Sequence, residues 1–184
     1  QPRGGRGAHP AALDRALELL GAATSDLRPE GRPLYAGLLS LEPADDPMGR
    51  LFTTGDLLRE FRGDSHTAAW ITAGFDATEI GLLTELYLGL GLRTYIRTRA
   101  WSDAELDAAL ERLADRGLVV DDAFTEAGRH AREAVERATD AQLRPAIESL
   151  GDDADELFTI LEPWGAAIRA AGGYLAGPGQ LVAR

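Results

Sequence analysis

The chain has no cysteine, no lysine, a single methionine and no apolar run approaching a membrane span, and each absence removes a class of function. Without cysteine there is no disulfide framework, no thiolate nucleophile and no cysteine-ligated metal, which fits a reducing, cytoplasmic setting. A spanning helix takes about 20 apolar residues, and no signal-peptide pattern opens the chain, so no membrane partner is expected. The three histidines, His9, His66 and His130, lie far apart, and no two have the i, i+4 spacing of a helical metal site. No metal and no cofactor are therefore expected. Gly89 and Gly91 before Arg93 lack the full dinucleotide fingerprint and follow a helix rather than a strand, so they read as a helix terminator. Neither a phosphate loop nor a nucleophile elbow is present.

What is there is acidic and helix-forming. Apolar residues make up 45% and charged residues 27% of 184 positions, the balance of one folded body rather than a disordered tail. All 19 cations are arginine against 30 acidic residues, a net charge of -11, so the averaged field repels phosphate backbones. The arginine-only usage, with abundant alanine, leucine and glycine, points to a GC-rich genome. The chain opens on Gln1 and its one methionine is Met48, so a processed or truncated piece is expected.

Along the chain, periodicity and capping residues predict helices with few strands. A glycine- and arginine-rich lead-in, 1–9, precedes a helix from Pro10 to Leu20 stopped by Gly21, and a short helix from Pro33 to Leu41. After the loop at 42–47, a helix from Met48 to Arg62 is expected to stop at Gly63, with Asp64 or Ser65 capping the next, which reaches Ala73. Asp76 with Glu79, and Ser102 with Glu105, make two capping boxes, each opening a helix with an apolar face. Gly117 ends the second of these helices. Leu118-Val119-Val120, Asp121-Asp122 and Phe124 then read as a very short hairpin. Thr125 caps a long helix to Leu143, with Pro145 beyond, and a last helix from Asp152 to Ala171 is interrupted at Glu162-Pro163. The end from Gly172 to Gly179 is expected to be loose. The helical part 10–92, the part 93–143 and the C-terminal helices 144–184 are expected to form a single domain.

The run Leu106 to Arg129 resembles the second half of a MarR-type winged helix, because helix stop, hairpin and a Thr-Glu-Ala-Gly-Arg helix start arrive in that family's order. A longer resemblance centres on Arg59-Glu60-Phe61-Arg62-Gly63-Asp64-Ser65-His66, beside Trp101-Ser102 and the Thr125 to Arg129 segment. On those residues the chain is similar to an actinobacterial helix-turn-helix family of the SalK type. The resemblance implies a mainly helical, all-α fold: a degenerate winged helix with one short β-hairpin, flanked by additional helices. It also implies a further N-terminal helical segment before Ala11, absent from this sequence, and many members have histidine where Phe61 stands.

A helix that reads DNA sets arginine, lysine, asparagine or glutamine against base edges and phosphates. The helix in that place carries Asp103, Glu105, Asp107, Glu111 and Asp115 against Arg112 and Arg116, and the would-be wing tip is Asp121-Asp122. Specific DNA binding is therefore disfavoured. Against this stands Arg93, Tyr95, Arg97, Arg99 and Trp101, cations interleaved with aromatics that suit phosphates or a flat ligand, or that pair with the acidic helix downstream. Arg62, Asp64 and His66 pack a cation, a carboxylate and an imidazole into five residues. An Asp orienting a His is how general-base sites are built, though helix capping explains the same residues. Trp70, Trp164 and Tyr174 are candidates for a pocket or for plain core.

The reading that follows is a small-molecule-binding or accessory protein of actinobacterial specialised metabolism, its ligand held by Arg62, His66, Arg93, Tyr95, Arg97, Arg99 and Trp101. The alternatives are a MarR-like ligand-responsive regulator, a homodimer through its terminal helices, and an enzyme using Asp64 and His66.

Overall fold

In the computed structural model the described residues are 10–173. The expected lead-in 1–9, His9, Tyr174 and the loose end beyond it lie outside them. The described residues form helices α1 (Pro10–Ser25), α2 (Pro33–Leu39), α3 (Pro47–Thr72), α4 (Ala77–Tyr87), α5 (Asp103–Asp115), α6 (Glu126–Leu150) and α7 (Ala154–Ala170), with strands β1 (Val119–Val120) and β2 (Ala123–Phe124). This is the mainly helical fold with one small hairpin that the sequence implied. Contacts divide the described residues into two compact units, one of residues 10–65 and 140–173, the other of residues 66–139.

In the first unit α1 lays Ala16, Leu19, Leu20 and Ala23 against Leu150 and Leu157, with Leu51, Leu58, Ile160 and Trp164 around them. A second cluster holds Leu27, Tyr35, Phe61 and Ala146. There the Tyr35 and Phe61 rings meet edge to face at 5.2 Å, and the Arg32 guanidinium lies 4.1 Å above the Phe61 ring.

The second unit is built around α4 and α5. Leu82, Leu83, Leu106 and Leu113 are fully buried, each worth about 1.5–3 kcal/mol of apolar transfer. Both capping boxes form: Asp76 accepts from the amides of Thr78 and Glu79 at 2.9 and 2.8 Å while Glu79 accepts from Asp76 N–H, and Ser102 and Glu105 repeat the exchange. The hairpin pairs Val119 with Phe124 and Val120 with Ala123. Its turn residues, Asp121 at φ 49° and Asp122 at φ 58°, take the left-handed geometry of a two-residue type I′ loop.

Between α4 and α5 the chain makes no regular helix except a single 3-10 turn, Ile96–Arg99. What shapes this connection is Glu85, fully buried, whose carboxylate accepts from the amides of Arg93 (2.7 Å), Thr94 (2.9 Å) and Ile96 (2.8 Å). Those bonds hold Arg93 at φ 62°, a left-handed conformation that costs a side-chain-bearing residue about 1–2 kcal/mol.

Several helix ends differ from the expected ones. Helix α1 runs through Gly21 to Ser25, and α3 runs unbroken through Gly63 to Thr72, so the break and cap expected at Gly63-Asp64 do not occur. An interior glycine costs only about 1 kcal/mol, less than tertiary packing returns along such a helix. Pro145 and Pro163 likewise lie inside α6 and α7.

Gly128 opens the first turns of α6 directly beneath β1; a methyl there would collide with the Leu118 carbonyl and touch the Phe124 ring. Gly128→Ala is expected to lower stability by about 2–3 kcal/mol, the overpacking range, in chemical denaturation. Gly55→Ala, in open space on α3, is expected to raise it by up to about 1 kcal/mol. Equal effects at the two positions would refute the packing argument.

Candidate functional site

The expected site residues divide between the two units. Arg62 and Asp64 fall in the first, and His66 with the segment 93–101 falls in the second.

Asp64 is buried, and its Oδ2 accepts from the backbone amides of Leu34 and Tyr35, both at 2.9 Å. These are among the free N–H groups at the start of α2, whose own N-cap residue, Arg32, makes no side-chain cap. Asp64 thus caps a helix thirty residues upstream, not the one expected to follow it. Beside it Ser65 donates to the Phe61 carbonyl and receives Arg32 Nε at 3.2 Å, while Gln142 binds the Ser65 carbonyl and Arg32. Arg62 is half-buried and reaches Asp140 at 3.8 Å. The resemblance segment therefore holds α2 and the Arg32 side chain in place.

His66, half-buried, puts Nδ1 3.2 Å from Thr139 Oγ1, and Thr139 in turn donates to the Val135 carbonyl. Residues two apart on a helix point about 200° from one another. Asp64 thus serves the start of α2, while His66 meets Thr139 within its own unit.

In the segment 93–101, Arg93 pairs with Asp107 at 2.5 Å and Arg97 with Asp103 at 2.6 Å, both carboxylates of α5. Arg99 lies along the Tyr95 ring, 5.8 Å from its centre, and donates to the phenol oxygen. Trp101 is packed against the core of this unit, as Trp70 is, whereas Trp164 packs in the first unit.

The two arginines of α5 are also engaged. Arg112 binds Asp76 and Glu79, and Arg116 binds Glu79 and the Gly74 carbonyl while its guanidinium lies 4.4 Å above Phe75. Glu79, buried, is the shared acceptor, so these arginines join α5 to the start of α4. Burial opposes ionisation of Asp76, but the Glu79 amide, the Arg112 guanidinium and the Thr78 amide outweigh it and hold the carboxyl below its ordinary pKa. The exposed side chains left on α5 are mainly Asp103, Glu105, Asp107, Glu111 and Asp115.

One polar residue escaped the sequence reading. Arg132, on α6, is 3% exposed among α4 and α6 side chains. Its position in a helix crowded with Glu and Arg gives it the pattern of a solvated surface cation, and only the fold reveals its burial.

Two outcomes follow. Asp64→Ala is expected to speed amide exchange at Leu34 and Tyr35 and to cost about 1–2 kcal/mol, the range of a lost helix cap. Unchanged protection there would refute the capping role. A carboxyl with a depressed folded pKa stabilises above its unfolded pKa, and that contribution disappears as pH falls through the folded value. Asp76→Asn is therefore expected to flatten the acid limb of the stability–pH curve, and an unaltered limb would contradict the pairing with Arg112.

Among the described residues no cluster of three or more His, Cys, Asp or Glu is arranged to hold a metal, and no helix is long and apolar enough to cross a membrane. No curated protein and no solved structure matches the chain. A family described as Helix-turn-helix matches residues 3–175, nearly the whole sequence. With the mainly helical fold and its one small hairpin in place, and a match over nearly its whole length, the chain belongs to this helix-turn-helix family.

Proposed function

We propose that this protein is a cytoplasmic small-molecule-binding or accessory protein of actinobacterial specialised metabolism, using its helix-turn-helix unit as a scaffold rather than as a DNA reader. The observation that carries the reading is the state of the cations on the elements that would meet a duplex. Arg93, Arg97, Arg112 and Arg116 are matched with carboxylates of their own unit, and the exposed face of α5 stays acidic. Binding DNA there would place carboxylates against phosphates and compete for arginines already paired. Surface pairs are individually weak, about 0–1 kcal/mol, so Glu111 and Asp115, which make none of these pairs, would repel phosphates most.

A second reading, a MarR-like ligand-responsive regulator dimerised through its terminal helices, is favoured by membership of a helix-turn-helix family. Phe158 and Ile168 of α7 are exposed and suit such a contact. A third reading is an enzyme using His66 as base, and turnover abolished by Asp64→Asn would establish it.

Fluorescence anisotropy with the protein's own promoter DNA, at low and at physiological salt, separates the first two readings. The expected result is weak, sequence-independent binding at most. Tight, sequence-dependent binding with a steep salt slope, lost in Arg97→Ala and Arg99→Ala, would establish the regulator instead.

A further inference from the structure

We propose that Arg132 is the anchoring cation of a binding site for a small organic monocarboxylate, in the second unit between α4 and α6. The assignment deepens the ligand-binding reading above and rests on it.

Arg132 is buried, and a guanidinium stays charged at any depth, so each of its donors is expected to find an acceptor. One edge is well served: Nη1 donates to Glu136 Oε1 at 2.6 Å, one turn along α6. The other edge is not. Nη2 reaches only Thr84 Oγ1, an uncharged acceptor, at 3.4 Å, long for a charge-assisted bond. Nε, on the same edge as Nη2, has no hydrogen-bond partner at all, and among the described residues no other buried side-chain nitrogen or oxygen is left so.

Nε and Nη2 together form the side-on fork of the guanidinium, two parallel N–H groups whose spacing matches the two oxygens of a carboxylate. A buried charged donor left unmatched costs more than an ordinary missing hydrogen bond, and a bidentate acceptor would remove that cost. The Tyr87 ring lies over the guanidinium, 4.6 Å from its carbon, and is itself 39% exposed, so it forms the outer cover of the cation. The proposed ligand reaches the fork by displacing the Tyr87 ring, so the site includes that movement. Charge selects the ligand class. Glu136 already neutralises one edge and the chain carries a net charge of -11, so a monoanion fits this edge and a phosphate dianion adds a second, unmatched charge.

The test follows the Arg132 Nε–H resonance in the wild-type full chain, identified by slow exchange and proximity to the Tyr87 ring, during titration with butyrate. Butyramide, neutral and of similar shape, and inorganic phosphate serve as comparison ligands. The expected result is a saturable downfield shift with butyrate, none with butyramide, a weaker one with phosphate, and a melting temperature that climbs with butyrate concentration. Arg132→Lys keeps the charge and loses the fork, so it is expected to weaken butyrate by about tenfold or more. The wild-type resonance decides the question if that variant does not fold. An Nε–H unmoved by butyrate overturns the assignment, as does a phosphate response equal to that of butyrate. Stabilisation by another small molecule with Nε–H unmoved removes the Arg132 site alone. Promoter DNA binding in the anisotropy experiment removes the reading beneath it.

Discussion

The second unit depends on one buried carboxylate. Glu85 sits at the last turn of α4 with no exposure, and it organises the connection to α5 by accepting three backbone amides from Arg93, Thr94 and Ile96. A charge moved out of water loses several kcal/mol of hydration, and a carboxylate recovers this only when its lone pairs are filled with well-aligned donors. Here the donors come from the connection itself, which has little regular structure to satisfy them otherwise. The consequence is mutual: without the carboxylate the amides are orphaned, and without the turn the carboxylate is. Ile96, placed by this turn, is buried against Gly81, where a methyl would strike its side chain. The direction in which α5 leaves α4 is thus set by an electrostatic device, then fixed by packing.

The same economy runs through the charged residues of the unit. Glu79 closes the capping box of α4 and also takes Arg112 and Arg116, so one buried side chain ends a helix and ties the next to it. Arginine suits these positions because its planar fork bridges two acceptors where an ammonium would serve one direction at a time. An acidic surface remains because Arg112 and Arg116, though part-exposed, are engaged by Asp76 and Glu79.

Much of this was legible in the sequence because the signals are local. Asp76 with Glu79 and Ser102 with Glu105 announce helix starts at fixed spacing, and Asp121-Asp122 between apolar pairs announces the hairpin. Gly21, Gly63, Pro145 and Pro163 misled, since a breaker states a cost and only tertiary packing decides whether the cost is met. Asp64 was read correctly as a capping residue, but the helix it caps is α2, a pairing across thirty positions that no local pattern encodes. Trp101, among the arginines of 93–101, packs partly against the core, a contact that its sequence neighbours do not encode. Arg132 was invisible for the reverse reason: its neighbours in the chain are surface residues, and its burial comes from α4.

The hairpin has a mechanical corollary. Each strand holds two paired residues, and at about 3.4 Å per residue the loop stands only about 7 Å from the helices that carry it. Two consecutive aspartates in left-handed geometry leave no slack for extension, and Gly128 locks the base of the strands against α6. A projection so short and so stiff is a flat corner rather than a finger, and whatever meets this edge of the unit must bring its own protrusion to it.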